Sequence, residues 1–96
     1  MPERRGLSRH LQMQDCRYRI GSQENAARLL NISWGGARLG DVGEVPEVGA
    51  QVSLILKTGE TETVLNGRVS NTSRMSFGIK FEESRGSVMR KLQPWL

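Results

Sequence analysis

Hydrophobic and polar residues alternate along most of the second half of the chain. The clearest run extends from Met75 to Phe81, where apolar side chains occupy every second position. Residues 50–57 and 61–70 alternate in a similar way, and turn-forming Gly or Asn residues separate the runs. Short runs with a period of two are typical of half-buried antiparallel strands. The pattern therefore predicts three consecutive strands between residues 50 and 81.

The first half of the chain carries shorter and less regular runs of the same kind. They predict strands at residues 11–20, 27–32 and 37–39, with glycines between them. Six short strands in 96 residues favour a small closed barrel, because closure removes the exposed edges of an open sheet. We therefore expect an all-β domain built as a six-stranded antiparallel barrel over residues 11–82.

The C-terminal end of the chain changes to a helical period. Apolar residues recur there at the spacing of one helix face, namely at Val88, Met89, Leu92 and Trp95 or Leu96. Ser84 or Ser87 can cap the start of this helix, and Pro94 should stop it. We expect one short helix within residues 84–96 that closes one end of the barrel.

Length and composition limit the class of protein. The 96 residues suit a single domain, 1–96, and no apolar run approaches the roughly 20 residues that span a bilayer. The charged start of the chain lacks the apolar stretch of a secretory signal. The single cysteine, Cys16, cannot form an intramolecular disulfide, which fits a reducing compartment. We expect a cytoplasmic protein without membrane insertion.

Positive charge is concentrated near the N-terminus. The net charge is +4, and residues 1–40 hold seven arginines, no lysine and three acids. Residues 1–10 are polar, rich in arginine and without apolar periodicity, which predicts a flexible arm. Because arginine offers a planar fork that matches phosphate and the edge of guanine, this cluster suggests an anionic, planar partner.

Two local motifs could supply contacts to such a partner. Arg5 and Arg9 lie in the arm, and guanidinium groups bind phosphate bidentately or donate to guanine O6 and N7. Asn31 and Ser33 carry oxygens that can accept from the N–H groups of guanine. Without a Cβ, the backbone can approach a ligand closely at the two glycines that follow, Gly35 and Gly36. Either motif alone is common in unrelated proteins, so their combination within six strands is the informative feature.

Together the motifs resemble the signature of the PilZ domain family, R-x-x-x-R followed by [DN]-x-S-x-x-G. Arg5 and Arg9 fit the first part, and the second part is fitted by Asn31, Ser33 and Gly36. The stretches SWGGARL, VSLILK, VLNGRVSN and MSFGIKF lie where family strands lie, so the resemblance covers nearly the whole chain. It implies a PilZ-type barrel that binds cyclic di-GMP in the cytoplasm, with the arm wrapping over the bound ligand. Asp is commoner than Asn at position 31 in the family, and a neutral acceptor there predicts a weaker contact to guanine.

Three further residues have candidate roles next to these motifs. A basic residue at the position of Arg4 is similar to family members that take up two stacked ligand molecules, which leaves one or two ligands per chain open. Arg38 follows the turn and could reach a phosphate. Trp34 could stack on guanine, although packing against its own barrel is the commoner role for such a tryptophan.

The residues give no support for catalysis or for a metal site. His10 and Cys16 lack a third group that would orient them, and no cluster of His, Cys, Asp or Glu has metal-ligand spacing. Arg17 and Arg19 are typical of surface charge. We therefore expect a non-enzymatic cyclic di-GMP receptor without a cofactor. With no output domain in the chain, it would signal through an effector protein, in motility or biofilm regulation.

Two other functions remain open at this point. A PilZ-fold adaptor that has lost its ligand would act only through protein contacts, and the intact motif residues count against it. A small basic barrel that binds nucleic acid would present exposed aromatic residues on its strands. Residues 41–82 instead hold six acidic and four basic residues, and their aromatic residues alternate inward, so we rank this function lowest.

Overall fold

The computed structural model describes residues 14–95 as a closed antiparallel barrel. Its strands are β1 Gln14–Ile20, β2 Gln23–Ile32, β3 Gly36–Gly40, β4 Gln51–Thr58, β5 Thr61–Ser73 and β6 Ser76–Phe81. They pair in the order β1-β2-β3-β6-β5-β4, and β4 pairs with β1 to close the barrel. A helix, α1 (Arg85–Leu92), and a 3₁₀ turn (Gln93–Trp95) follow. The predicted all-β barrel with one C-terminal helix is confirmed, whereas the predicted arm lies outside the described residues.

Alternation along the strands places apolar side chains inside the barrel. Leu54 and Leu56 on β4 and Leu65 on β5 are fully buried. The rings of Tyr18 and Phe77 meet edge to face with their centroids 5.1 Å apart, an arrangement that aromatic pairs prefer. The period of two therefore predicts the interior of the barrel correctly over most of β4, β5 and β6.

Two strand boundaries differ from the prediction by three or more residues, and one side chain points outward instead of inward. β2 begins at Gln23 instead of residue 27, because its polar first residues pair with β1 through the backbone. Residues 71–73, where the sequence predicts a turn, extend β5. The prediction that Met75 alternates inward is wrong. Met75 lies in the β5–β6 turn with φ 59° and is 55% exposed, so the apolar alternation continues one residue beyond the strand.

Two β-bulges interrupt the alternation. The pairing shifts between Leu29 and Asn31 on β2, and between Val69 and Asn71 on β5. Strict alternation would point both asparagines into the barrel, on the side of the buried Leu29 and Val69. The extra residue in each strand turns them outward instead, since a bulge re-aims the side chains that follow it. Both asparagines are exposed on the outer face of the barrel.

Helix α1 lies within the predicted range 84–96, begins after one of the two predicted caps and ends before Pro94. The Oγ of Ser84 accepts a hydrogen bond from the backbone N–H of Ser87 at 3.1 Å, so Ser84 is the N-cap. The helix ends at Leu92, and Pro94 lies in the 3₁₀ turn beyond it. Proline cannot supply the N–H that another helical turn requires, which explains the stop.

The helix packs its apolar side onto the barrel. Val88 and Leu92 are fully buried in the same core as the strand residues, and Trp95 joins them from the 3₁₀ turn. Met89, which the sequence places on the same apolar face, is 42% exposed. In the part of the chain that the structure describes, no helix is long and apolar enough to cross a membrane.

The carboxylate of Glu83, just before helix α1, links the helix to β5. The side chain of Glu83 accepts from the backbone N–H of Asn66 at 2.8 Å and from the Ser87 hydroxyl at 2.7 Å, and it pairs with Lys91 at 2.9 Å. Burial acts to raise the pKa of Glu83. The hydrogen bonds from Lys91, Asn66 and Ser87 outweigh this effect and hold the pKa below its ordinary value. Glu83 therefore stabilises the docked helix in its ionised form.

Candidate ligand-binding site

The turn between β2 and β3 is held by the predicted motif residues themselves. The backbone N–H of Ser33 donates to the carbonyl oxygen of Gly36 at 2.8 Å, and the N–H of Gly35 donates to Ser33 Oγ at 3.3 Å. The N–H of Phe81 donates to the carbonyl of Gly35 at 2.9 Å, which ties the turn to the end of β6. The Ser33 hydroxyl thus has a structural role in the turn and keeps a second lone pair for another donor.

Gly36 is required by the approach of β6. A Cβ added at Gly36 would lie 2.2 Å from the carbonyl oxygen of Ile79, which is far inside contact distance. A Cβ added at Gly35 would meet no atom within 4 Å. Strand pairing therefore explains the glycine at position 36 before any ligand is considered, and the close ligand approach expected from the sequence stays a prediction.

Four residues form a transverse row on the outer face of the barrel. Asn31 on β2 pairs in register with Arg38 on β3, Arg38 pairs with Gly78 on β6, and Gly78 pairs with Asn71 on β5. Gly78 has no side chain, so Arg38 can reach over β6 to the next strand. Its Nη1 donates to Asn71 Oδ1 at 2.5 Å, and its Nη2 donates to Ser76 Oγ at 3.2 Å.

The turn and the part of this row on β2 and β3 line one concave surface of about 330 Å³. It is lined by Asn31, Ile32, Ser33, Gly36, Ala37 and Arg38. Four residues singled out in the sequence thus lie together, although they are spread over a strand, a turn and the next strand. Gly35 lies in the turn without lining this surface, and the remaining site residues, Arg4, Arg5 and Arg9, lie outside the described residues.

The size and chemistry of this surface limit what it could bind. Its volume is near the lower end of the range of about 300–1,000 Å³ that ligand pockets occupy. An amide, a hydroxyl and a guanidinium line it, and none of its described lining residues carries a carboxylate. It is therefore suited to hold part of an anionic ligand that also carries hydrogen-bond donors.

A family model described as PilZ domain matches residues 3–96. The chain belongs to the PilZ domain family. PilZ domains are cyclic di-GMP-binding receptors and are generally non-enzymatic binding domains, and no catalytic family is indicated. The match includes the concave surface and the strands that form it. No curated protein matches the chain.

The aromatic residues of this PilZ domain are directed toward its core. Phe77, Phe81, Tyr18 and Trp95 are buried, and Trp34 is partly buried and packs against the core. The packing expected for Trp34 is therefore confirmed. These residues include every aromatic side chain of the sequence, so the strands lack the stacking platform that single-stranded nucleic acid requires.

Other candidate residues play structural or surface roles. Burial, with a smaller effect of the Asp15 charge, raises the pKa of the Cys16 thiol to about 12, so the thiol stays protonated and unreactive at neutral pH. Arg17 and Arg19 are exposed and lie near Glu24, as expected for surface charge. Among residues 14–95, no group of three or more His, Cys, Asp or Glu could hold a metal ion.

Local sequence patterns predict no ligand role for three neighbours of Arg38. Asn71 looks like a turn residue and Ser76 like an outward strand residue, and Gly78 looks like a polar-side position of β6. Their connection to Arg38 depends on β6 lying between β3 and β5, an order that local patterning does not specify. A glycine at the centre of an alternating strand is the one local signal of close approach at this place.

Proposed function

We propose that this PilZ domain is a non-enzymatic cyclic di-GMP receptor whose site includes the concave surface between β2 and β3. The supporting observation is that Asn31, Ser33, Gly36 and Arg38 line this one surface without a carboxylate among them. Cyclic di-GMP carries phosphates that attract a guanidinium, and guanine edges that pair with amide and hydroxyl oxygens.

The three polar side chains that line the surface have distinct roles in this proposal. The side-chain oxygens of Asn31 and Ser33 accept from the N–H groups of one guanine, while Arg38 faces a phosphate. Arg5 and Arg9 of the family signature supply further phosphate and guanine contacts. The surface of about 330 Å³ covers only part of a dinucleotide, which is why the proposal includes these arginines.

The proposal also covers the number of ligand molecules per chain and the signal that the bound chain passes to a partner. Arg4 beside the signature favours two stacked ligand molecules per chain, and a titration that saturates at one would contradict this. The ligand-bound surface then contacts an effector protein in the cytoplasm, where we expect the chain to work.

Calorimetric titration with cyclic di-GMP tests the proposal. We expect the native chain to bind, and Asn31→Ala to weaken binding about tenfold, because it removes guanine contacts of about 1–3 kcal/mol. Asn25→Ala is the matched control, since Asn25 is on the same strand and does not line the surface. No binding by the native chain would refute the proposal and favour the ligand-independent adaptor.

A further inference from the structure

Arg38 differs from the other arginines on the described strands in the charge of its partners. Arg17 lies 2.6 Å from Glu24, and Arg68 lies 2.7 Å from Glu82. Arg19 also lies within 4 Å of Glu24, and Arg28 lies within 4 Å of Asp15 and Asp41. Among residues 14–95, the partners of Arg38 are an amide and a hydroxyl, Asn71 and Ser76, so no described carboxylate neutralises its positive charge.

We propose that Asn71 and Ser76 are positioning residues that hold the Arg38 guanidinium, with its charge uncompensated, at the edge of the ligand site. This inference rests on the proposed function of that site, and it extends the site from β2 and β3 across β6 to β5. Asn71 fixes the guanidinium through Nη1 and Ser76 fixes it through Nη2. The contact joins residues 33 positions apart in the chain.

The backbone is arranged to make this contact. Gly78 lies between Arg38 and Asn71 in register. A Cβ there would lie 3.0 Å from Asn71 Oδ1 and 3.2 Å from Arg38 Nη1, in the space that the two side chains use to meet. The bulge on β5 then turns Asn71 outward, where strict alternation would place it inside the barrel. Two features, the glycine on β6 and the bulge on β5, thus favour one guanidinium position.

Neutral partners leave Arg38 able to bind an anion. A guanidinium has five N–H donors, and Asn71 and Ser76 take two of them. The remaining donors and the full charge are available to phosphate oxygens, and a guanidinium already held in place loses little side-chain freedom on binding. A carboxylate at position 71 would hold Arg38 equally well but would compete with the phosphate for its charge.

Because of this competition, the variant Asn71→Asp should behave differently if Asn71 has a ligand role than if its role is purely structural. If Asn71 only linked β5 to β3, Asn71→Asp would keep or strengthen the link, and ligand binding would not change. If Asn71 positions Arg38 for an anion, the same substitution keeps the fold and weakens binding. Under the second alternative, Asn71→Asp lowers the affinity for cyclic di-GMP without lowering the stability in urea.

The experiment measures cyclic di-GMP binding by calorimetry and stability by urea unfolding for the full chain. We expect Asn71→Asp to weaken binding about tenfold or more, with a urea midpoint no lower than that of the native chain. Asn25→Asp is the matched control, because it adds the same charge about 20 Å away along β2 from Asn31, beyond the Debye length of about 10 Å at 0.1 M salt. It should change affinity less than twofold.

A double-mutant cycle tests whether Asn71 acts through Arg38. Asn71→Ala should weaken binding severalfold in the native background and have no effect in the Arg38→Ala background. Equal binding by the native chain and Asn71→Asp, or an Asn71→Ala effect that persists without Arg38, would overturn the inference and leave the proposed function intact. No binding by the native chain would instead refute the proposed function, and the ligand role of Asn71 with it.

Discussion

Replacing Gly36 with alanine should destabilise the barrel far more than replacing its neighbour Gly35. The Cβ of Gly36→Ala would lie 2.2 Å from the carbonyl oxygen of Ile79. Because non-bonded heavy atoms pack best at about 3.5–4.0 Å, β3 and β6 would have to separate by roughly 1 Å. That movement lengthens the hydrogen bond from Phe81 to Gly35, which is 2.9 Å in the native chain.

The cost can be worked out from these two effects. Overpacking against a rigid neighbour costs about 1–3 kcal/mol, and weakening a backbone hydrogen bond adds about 1 kcal/mol. We therefore expect Gly36→Ala to lower the free energy of unfolding by about 2–4 kcal/mol, a large part of the roughly 5–15 kcal/mol that stabilises a typical domain. Gly35→Ala should change it by less than about 0.5 kcal/mol, because its Cβ meets no atom within 4 Å and its φ is not positive.

Urea unfolding followed by circular dichroism measures both variants. For a chain of this size, the loss at Gly36 corresponds to a midpoint lowered by about 2 M urea. A Gly36→Ala barrel as stable as the native one, or equal destabilisation at both glycines, would show that β6 does not require glycine at position 36.

Other predictions concern the helix anchor, the turn and the cysteine. Glu83→Ala should cost about 2 kcal/mol in urea unfolding, because it removes charge-assisted hydrogen bonds from a half-buried site, whereas Glu82→Ala should cost less than about 1 kcal/mol as an exposed ion pair. The pKa of Glu83 is lowered in the folded chain, so its contribution to stability is present above the ordinary value of 4.5 and is lost as the pH falls through the lower folded value. The urea midpoint should accordingly fall less steeply with acid in Glu83→Gln, and identical profiles would contradict the anchor. Met75→Asn should stabilise the chain by up to about 1 kcal/mol, because asparagine tolerates the left-handed φ of 59°; a lower urea midpoint would speak against this. The Cys16 thiol, with its pKa raised to about 12, should react with a thiol reagent at pH 8 much more slowly in the native chain than in urea.

Local patterning predicts the interior of this fold well and its outer face poorly. Alternation from residue 50 onward places Leu54, Leu65 and Phe77 in the core, because burial on one side of a strand imposes a period of two. The same rule fails at Asn31 and Asn71, where bulges turn the side chains outward. A bulge depends on pairing with a neighbouring strand, so a single strand's sequence does not reveal it.

The candidate site likewise has one part that local sequence predicts and another that depends on the fold. Asn31, Ser33, Gly36 and Arg38 follow one another closely in the sequence, and a motif finds them without knowledge of the fold. The contact between Arg38 and Asn71 depends on the strand order β3-β6-β5, which brings together residues far apart in the chain. The requirement for glycine at position 36 likewise becomes visible only once β6 is in place.

The most direct test of the account is a cyclic di-GMP titration followed by two-dimensional amide NMR. Among residues 14–95, the largest shift changes should fall on residues 31–38 and reach Asn71 across β6, while residues of α1 should change little. Saturable changes centred elsewhere on the barrel, or none at all, would contradict it.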